Sequence, residues 1–220
     1  MRTCRVPGCA EPTTKFGAHC TTHKAVMRRH GDPRQAGVTK AQLEPYVKLV
    51  EARIAKNAAN PVWAQLDDRW LALTRSAEAI LSAFHNGRPG LRHEVRAASE
   101  VKKLGQSVEP REVIVTALAM YLMLYQEPRR FRSDDAFSTQ LVRRVRGLSD
   151  VNVGVWHDNK TNKMRRVYRE LPPRVVQVIA GWIVPVLGGV GMKLVELEKA
   201  DWEARQQEVK SFQQAVSDLT

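Results

Sequence analysis

Four side chains that commonly bind transition metals lie within the first 23 residues of this 220-residue chain. They are Cys4, Cys9, Cys20 and His23, and these three cysteines are all that the chain contains. Structural zinc sites draw their four ligands from two close pairs of Cys and His. A Pro-Gly turn between Cys4 and Cys9 lets both thiolates face one point, and Cys20 and His23 lie one helical turn apart. The spacing predicts a structural Zn²⁺ ion with no open position for catalysis; unliganded thiols are the alternative.

The surroundings of these ligands suggest a small module in a reducing compartment. An odd number of cysteines leaves a thiol outside any disulfide, and no apolar stretch typical of a signal peptide follows Met1. We therefore expect a cytoplasmic protein. The segment is too short to build a hydrophobic core, so the metal is expected to hold it together. We assign residues 1–37 to a zinc-binding module and residues 38–220 to a mainly helical domain.

The same segment resembles a known family. The resemblance covers about residues 4–33 and rests on two ligand pairs and a basic ending, Cys4-x4-Cys9, Cys20-x2-His23 and Arg28-Arg29-His30-Gly31-Asp32-Pro33. This pattern resembles the small zinc-binding module of phage and mobile-element proteins, which precedes some HNH-type homing endonucleases. The family usually has an aromatic residue after the ligand histidine, where this chain has Lys24. The resemblance implies nucleic-acid contact through Arg28, Arg29 and the basic residues near them.

Positive charge is concentrated in two segments of the chain. The 35 Lys and Arg residues against 23 Asp and Glu residues give a net charge of +12. Residues 1–40 hold 8 basic and 2 acidic side chains, and residues 129–174 hold 12 and 5. Such localised charge favours a polyanionic partner, either nucleic acid or an anionic membrane surface. The apolar fraction of 43% excludes wholesale disorder.

The middle of the chain has helical periodicity. Apolar residues recur at helical spacing over 43–54 and again, as a narrow seam, from Trp63 to Phe84. We expect these two helices to pair as a hairpin; a homodimeric coiled coil through the Trp63–Phe84 seam is the alternative. A further helix is predicted over 91–104, stopped by Gly105. Another runs from Pro110 to Tyr125, and its apolar character on all sides predicts the central helix of the core.

The second basic segment predicts a helix followed by a hairpin. Ser133-Asp134-Asp135 begins a helix that Gly147 ends, and two β-leaning runs, 151–156 and 164–169, flank a polar turn. A helix with an arginine-rich end and a basic hairpin can contact a duplex groove and its phosphates together; a solvated basic surface is the alternative. The residues that we expect to contact nucleic acid are Lys24, Arg28, Arg29, Arg143, Arg144, Arg146, Lys160, Lys163, Arg165 and Arg166.

The last segment raises the question of a membrane. Residues 175–192 form an apolar stretch in which Gln177 is the single polar side chain. This stretch is just long enough for a membrane span. Pro185 and four glycines favour instead a buried helix from Pro173 to Leu187, a break at Gly188-Gly189 and a last amphipathic helix. Membrane insertion is the alternative.

Motifs of common enzymes are absent from the sequence. There is no phosphate-binding GxxxxGK[ST] loop, GxSxG, HExxH or GxGxxG motif. His157-Asp158-Asn159 lacks a second His and Asn at the separation an HNH nuclease requires. We therefore predict a mainly α protein that binds nucleic acid, most simply double-stranded DNA, without catalysis, as an accessory or regulatory protein of a phage or mobile element. The alternatives are a partner-binding or assembly protein and a divergent HNH-type nuclease.

Overall fold

The computed structural model describes residues 2–150 and 153–218, with the side chains of residues 153 and 165–168 outside that description. Within these ranges the chain is mainly α, as predicted. Its seven helices are α1 (Thr21–His30), α2 (Lys40–Lys56), α3 (Val62–His85), α4 (Arg92–Ser107), α5 (Pro110–Gln126), α6 (Asp134–Arg146) and α7 (Pro173–Ser217). A short 3₁₀ turn, Pro128–Arg130, precedes α6.

The predicted hairpin is confirmed and consists of β1 (Val153–Asp158) and β2 (Lys163–Tyr168). The strands are antiparallel and pair in register from Val153 opposite Tyr168 to Asp158 opposite Lys163. Asp158 is buried, and its carboxylate accepts hydrogen bonds from the Lys160 backbone N–H at 3.1 Å and the Thr161 hydroxyl at 2.9 Å. These bonds fix the turn. Val151 and Asn152, assigned to the first strand from the sequence, lie outside the described residues.

Helix α5 lies at the centre of the core, as its composition predicts. Every residue from Val113 to Met123 is buried. Helices α2, α3, α6 and α7 all pack against it. The apolar surface on all sides of α5 therefore has a partner in each direction, which is what a core helix requires.

The expected pairing of α2 with α3 is wrong. Helix α2 packs against α5, whereas α3 packs mainly against α4. The α3–α4 contact is close because Gly105 lies against Thr74, where an added Cβ would come within 2.6 Å of Thr74 Cγ2. Gly105 accordingly lies inside α4 and does not end it. Much of the seam from Trp63 to Phe84 is buried within the fold, although Phe84 itself is exposed.

The expected helix break at Gly188-Gly189 is also wrong, because α7 continues from Pro173 to Ser217 through Pro185. Gly188 and Gly191 lie directly against the Tyr121 ring of α5, so they permit a close approach of two helices. Tertiary packing overrides the low helix propensity of glycine here. Within the described residues one helix, α7, has the length and composition of a membrane span, with a mean hydropathy of 1.9 over 18 residues, and 44% of that stretch is buried in the protein.

Candidate metal centre and the basic surface beside it

Two local structures bring the four predicted ligands together. Cys4 and Cys9 bracket a tight turn in which the Cys9 N–H donates to the Val6 carbonyl at 3.0 Å. Gly8 has φ of +79° in this turn, a conformation that glycine adopts without strain. Cys20 is the N-cap residue of α1, which places His23 in the first turn of the same helix.

The four ligand atoms have the spacing of one tetrahedral site. All lie within 4.8 Å of one another. His23 Nδ1 is 3.2 Å from Cys20 Sγ and 3.4 Å from Cys4 Sγ, and Cys9 Sγ is 4.0 Å from Cys20 Sγ. Zinc bonds of about 2.3 Å to sulfur and about 2.0 Å to nitrogen place tetrahedral ligands roughly 3.5–3.8 Å apart. The Cys₃His group can therefore hold a metal ion, and its donors suit zinc.

The Cys4 thiol ionises more readily than an ordinary thiol, and the thiolate is the form that binds a metal ion. Burial raises the pKa of the Cys4 thiol, but hydrogen bonds from the Cys20 and Val6 backbone and from His23 outweigh it and lower the pKa to about 6. The pKa of Cys9 is raised, because burial and the other two sulfurs outweigh a backbone hydrogen bond at Glu11. Crowding three sulfurs therefore disfavours a second thiolate, and a divalent cation removes that penalty.

Little besides the ligands holds this module together. Its buried cluster consists of Cys4, Val6 and Cys20, with Cys9 against it, and α1 has no buried residue. Phe16 is 89% exposed. An apolar cluster of this size does not bury enough surface to stabilise a folded segment of this length. A bound metal would therefore supply most of the stability of the module.

The end of the metal module lies on the first half of α6. Gly31 ends α1 with φ of +87°, and a Cβ there would come within 2.6 Å of the Asp135 carbonyl oxygen and Thr139 Oγ1. The buried side chain of Gln35 accepts a hydrogen bond from the Arg132 N–H at 3.1 Å. The segment that follows α1 is therefore packed against the helical body.

A buried glutamine joins the module to the body. Gln140 Oε1 accepts from the Val38 N–H at 2.9 Å, so its Nε2 amino group donates to His30 Nδ1 at 3.1 Å. This fixes neutral His30 with its proton on Nε2. Burial lowers the pKa of His30, and the nearby charge of Arg143 lowers it further. Sequence reasoning missed Gln140; its only signal is a polar residue on the otherwise apolar face of α6.

The predicted nucleic-acid residues fall into two groups by exposure. Lys24, Arg28, Lys160 and Lys163 are exposed, the first two on α1 and the others around the hairpin turn. Arg29 is also exposed and pairs with Glu170, which follows β2. Arg165 and Arg166 lie on β2, but their side chains are outside the described part of the chain.

The three arginines of α6 are half-buried. Arg146 Nε donates to buried Glu100 at 2.9 Å, and its guanidinium also donates to the Arg169 carbonyl at 3.1 Å. Arg143 donates to the Arg29 carbonyl at 3.4 Å. The arginine-rich end of α6 therefore does not project as an isolated recognition helix. It lies where α1, α6 and the end of the hairpin meet.

The hairpin carries exposed apolar side chains as well as basic ones. Val155, Trp156 and Met164 are all about half exposed or more. His157 Nδ1 lies 2.9 Å from Asn159 Oδ1. Among the described residues, Cys4, Cys9, Cys20 and His23 form the one group of three or more His, Cys, Asp or Glu side chains placed to hold an ion, so His157 is not part of such a group.

Comparison of the chain with family models, with curated proteins and with solved structures found no match in any of the three.

Proposed function

We propose that this protein binds double-stranded DNA through one basic surface, made by the zinc-loaded module and the hairpin. The observation that supports this proposal is the contact between the two basic segments, which we call the junction. Arg29 of α1 pairs with Glu170 at the end of the hairpin, and its carbonyl accepts from Arg143 of α6. Segments that are far apart in the sequence, each with a large excess of positive charge, thereby meet in space.

The exposed lysines and arginines supply the contacts in this proposal. Lys24 and Arg28 lie on one side of the junction, and Lys160 and Lys163 lie at the hairpin turn. Exposed basic side chains lose little on meeting phosphates, because no internal ion pair has to be broken. The half-buried arginines of α6 add to the positive potential of this surface. Exposed Trp156 and Met164 provide apolar contact beside these charges.

The metal has a structural task in this account. Zn²⁺ held by Cys4, Cys9, Cys20 and His23 fixes the start of α1, and α1 presents Lys24 and Arg28. Closed Cys/His sites of this kind stabilise folds and leave no position for a substrate. The resemblance of residues 4–33 to the module of phage and mobile-element proteins supports the same assignment and suggests an accessory or regulatory protein of such an element.

A salt titration of duplex binding tests the proposal. Fluorescence anisotropy with a labelled duplex measures the dissociation constant between about 50 and 200 mM salt. We expect a steep linear fall of log affinity with log salt, because each phosphate contact releases about one counterion. The double variant Lys160→Gln, Lys163→Gln reduces the slope by about 2, one for each contact.

The matched control removes two exposed lysines from the slightly acidic end of α7. The control is the double variant Lys199→Gln, Lys210→Gln. It changes the net charge by the same amount as the test variant, but both of its positions lie outside the proposed surface. Its slope and affinity stay near those of the wild type. Equal losses in the two double variants contradict the proposed surface, and a salt-independent affinity contradicts binding through phosphates.

A further inference from the structure

A large groove opens between α2 and α6. Both helices pack on α5 and leave a space of about 770 Å³ between them. Val115 and Thr116 of α5 lie at its floor, Leu43 and Val47 line the α2 side, and the end of α6 forms the other side. The volume falls in the range of about 300–1,000 Å³ that is typical of small-molecule sites.

The two sides of the groove differ in chemistry. The apolar lining is aliphatic and includes Leu43, Val47, Val115 and Leu148; no aromatic side chain lines the groove among the described residues. Arg143 and Arg144 line the α6 side, close to Arg146 and Arg169. An aliphatic surface beside a row of guanidinium groups fits a ligand that is itself divided into an apolar body and an oxyanion head.

Positive charge at the α6 end exceeds the negative charge around it. Arg146 pairs with Glu100, and the carboxylate of Glu170, which also lines the groove, is engaged by Arg29. Arg143 is half-buried, and burial lowers the pKa of its guanidinium. The charge of Glu170 raises this pKa, but the neighbouring arginines lower it further. Crowded, partly desolvated cations of this kind are stabilised by an anion.

Glu170 is the acidic lining residue at the α6 end, against four lining arginines, and the other acidic lining residues, Glu44, Glu51 and Glu112, lie on α2 and α5. Glu51 and Glu112 are exposed residues on α2 and α5, and Arg111 of α5 is already paired with Asp67. They leave the α6 end as the cationic part of the site. The charge distribution therefore sets the orientation of a ligand, with its head at α6 and its body along α2 and α5.

We propose that this groove binds a small anionic amphiphile, with a phosphate or carboxylate head against Arg143 and Arg144 and an aliphatic chain along Leu43, Val47 and Val115. Guanidinium groups match the planar or tetrahedral oxygens of either head. Free alkyl phosphates and fatty-acid carboxylates share this chemistry, and the experiment separates them.

Isothermal titration calorimetry of the zinc-loaded full chain with four probes provides the test. The three probes with an alkyl chain are used below their critical micelle concentrations. These are decyl phosphate, decanoate, inorganic phosphate and decyltrimethylammonium. We expect decyl phosphate or decanoate to bind at least tenfold more tightly than inorganic phosphate, and the cation with the same chain to bind at least tenfold more weakly than the better anion. The tighter of the two anions identifies the head group.

Variants separate the head from the body. Arg144→Gln weakens the better alkyl anion at least tenfold, whereas Arg75→Gln, at an exposed position of α3, leaves it unchanged. Val47→Phe fills the apolar side, so it weakens the alkyl anion while inorganic phosphate binds as before. Circular dichroism spectra that match the wild type establish that each variant is folded, and Val47→Phe keeps the proposal testable if Arg144→Gln does not fold.

Three results would overturn the proposal. They are an alkyl anion that binds no more tightly than inorganic phosphate, equal binding of the decyl cation, and alkyl-anion affinities that neither Arg144→Gln nor Val47→Phe changes. Duplex affinity is measured on the same samples. Failure of amphiphile binding with intact duplex binding rejects the groove alone, and the reverse outcome rejects the proposed function alone.

Discussion

Neutral His30 connects the metal module to the helical body, because its Nδ1 accepts a hydrogen bond from Gln140 of α6. Protonation of Nδ1 removes this acceptor. The Gln140 amide donates to His30 Nδ1, so a proton on that nitrogen would set two donors against each other. Burial and the neighbouring arginine lower the pKa of His30 in the folded protein below its ordinary value of 6.5. The attachment of the module is therefore expected to be sensitive to pH.

The lowered pKa predicts the direction of that sensitivity. Below about pH 6.5 unfolded His30 binds a proton that folded His30 does not, so stability is complete above this pH and falls as pH decreases. Denaturant unfolding of the wild type between pH 7.5 and 5.5 is expected to show this loss, and His30→Gln lacks the part due to His30. Both proteins share the metal ligands, so the difference between their profiles isolates His30. Superimposable profiles would refute this assignment.

The ligand histidine and a nearby histidine give a matched pair for the metal site. His23→Asn removes an imidazole from the Cys₃His group, whereas His19→Asn changes a histidine four residues earlier that is not part of it. We expect His23→Asn to weaken zinc by more than about 100-fold, beyond the usual cost of changing a residue that only supports a ligand. Competition with a chromophoric chelator measures both affinities. Near-wild-type zinc binding by His23→Asn would contradict the ligand set.

At the scale of elements, the glycines of α7 determine how closely it approaches α5. An added Cβ at Gly191 would come within 2.5 Å of the Tyr121 ring, but a Cβ at Gly189 would meet nothing within 4 Å. Gly191→Ala is therefore expected to lower the free energy of unfolding by about 1–3 kcal/mol, the usual cost of overpacking. Gly189→Ala is expected to raise it by up to about 1 kcal/mol through helix propensity. Chemical denaturation measures both; equal effects would contradict the close packing.

Local signals in the sequence account for most elements that were predicted correctly. Ser133 caps α6 by accepting from the Ala136 N–H at 3.1 Å, as the Ser-Asp-Asp start indicates. The hairpin follows from two β-leaning runs around a polar turn, and the metal ligands follow from two short spacings. Each of these features depends on residues that are close in the sequence, so the pattern contains the necessary information.

Features that depend on distant residues could not be predicted in the same way. The Trp63–Phe84 seam shows that α3 has an apolar face, but not that α4 covers it. Gly188 and Gly191 act as helix breakers in isolation and as a close-contact surface only beside Tyr121. The His30–Gln140 hydrogen bond joins residues 110 positions apart. Tertiary packing decides all three, and a single sequence carries no direct record of it.

At the scale of the whole molecule, the structure joins what the sequence separates. The basic segments 1–40 and 129–174 meet through Arg29, Arg143 and Glu170, while the last part of α7 carries the slightly acidic end of the chain. In the proposed function, the basic segments contact the polyanion together. The metal module belongs to the first of these segments, so its folding and duplex affinity are expected to be coupled.

The most direct test of this account measures zinc content and duplex affinity on the same protein. Atomic absorption is expected to give one zinc per chain. Removal of the zinc with a chelator should weaken duplex binding at least tenfold, and stoichiometric Zn²⁺ should restore it, because α1 presents its basic residues only when the module is folded. A purified chain without bound zinc, or a stripped chain that binds the duplex as tightly as the loaded one, would contradict the central claim.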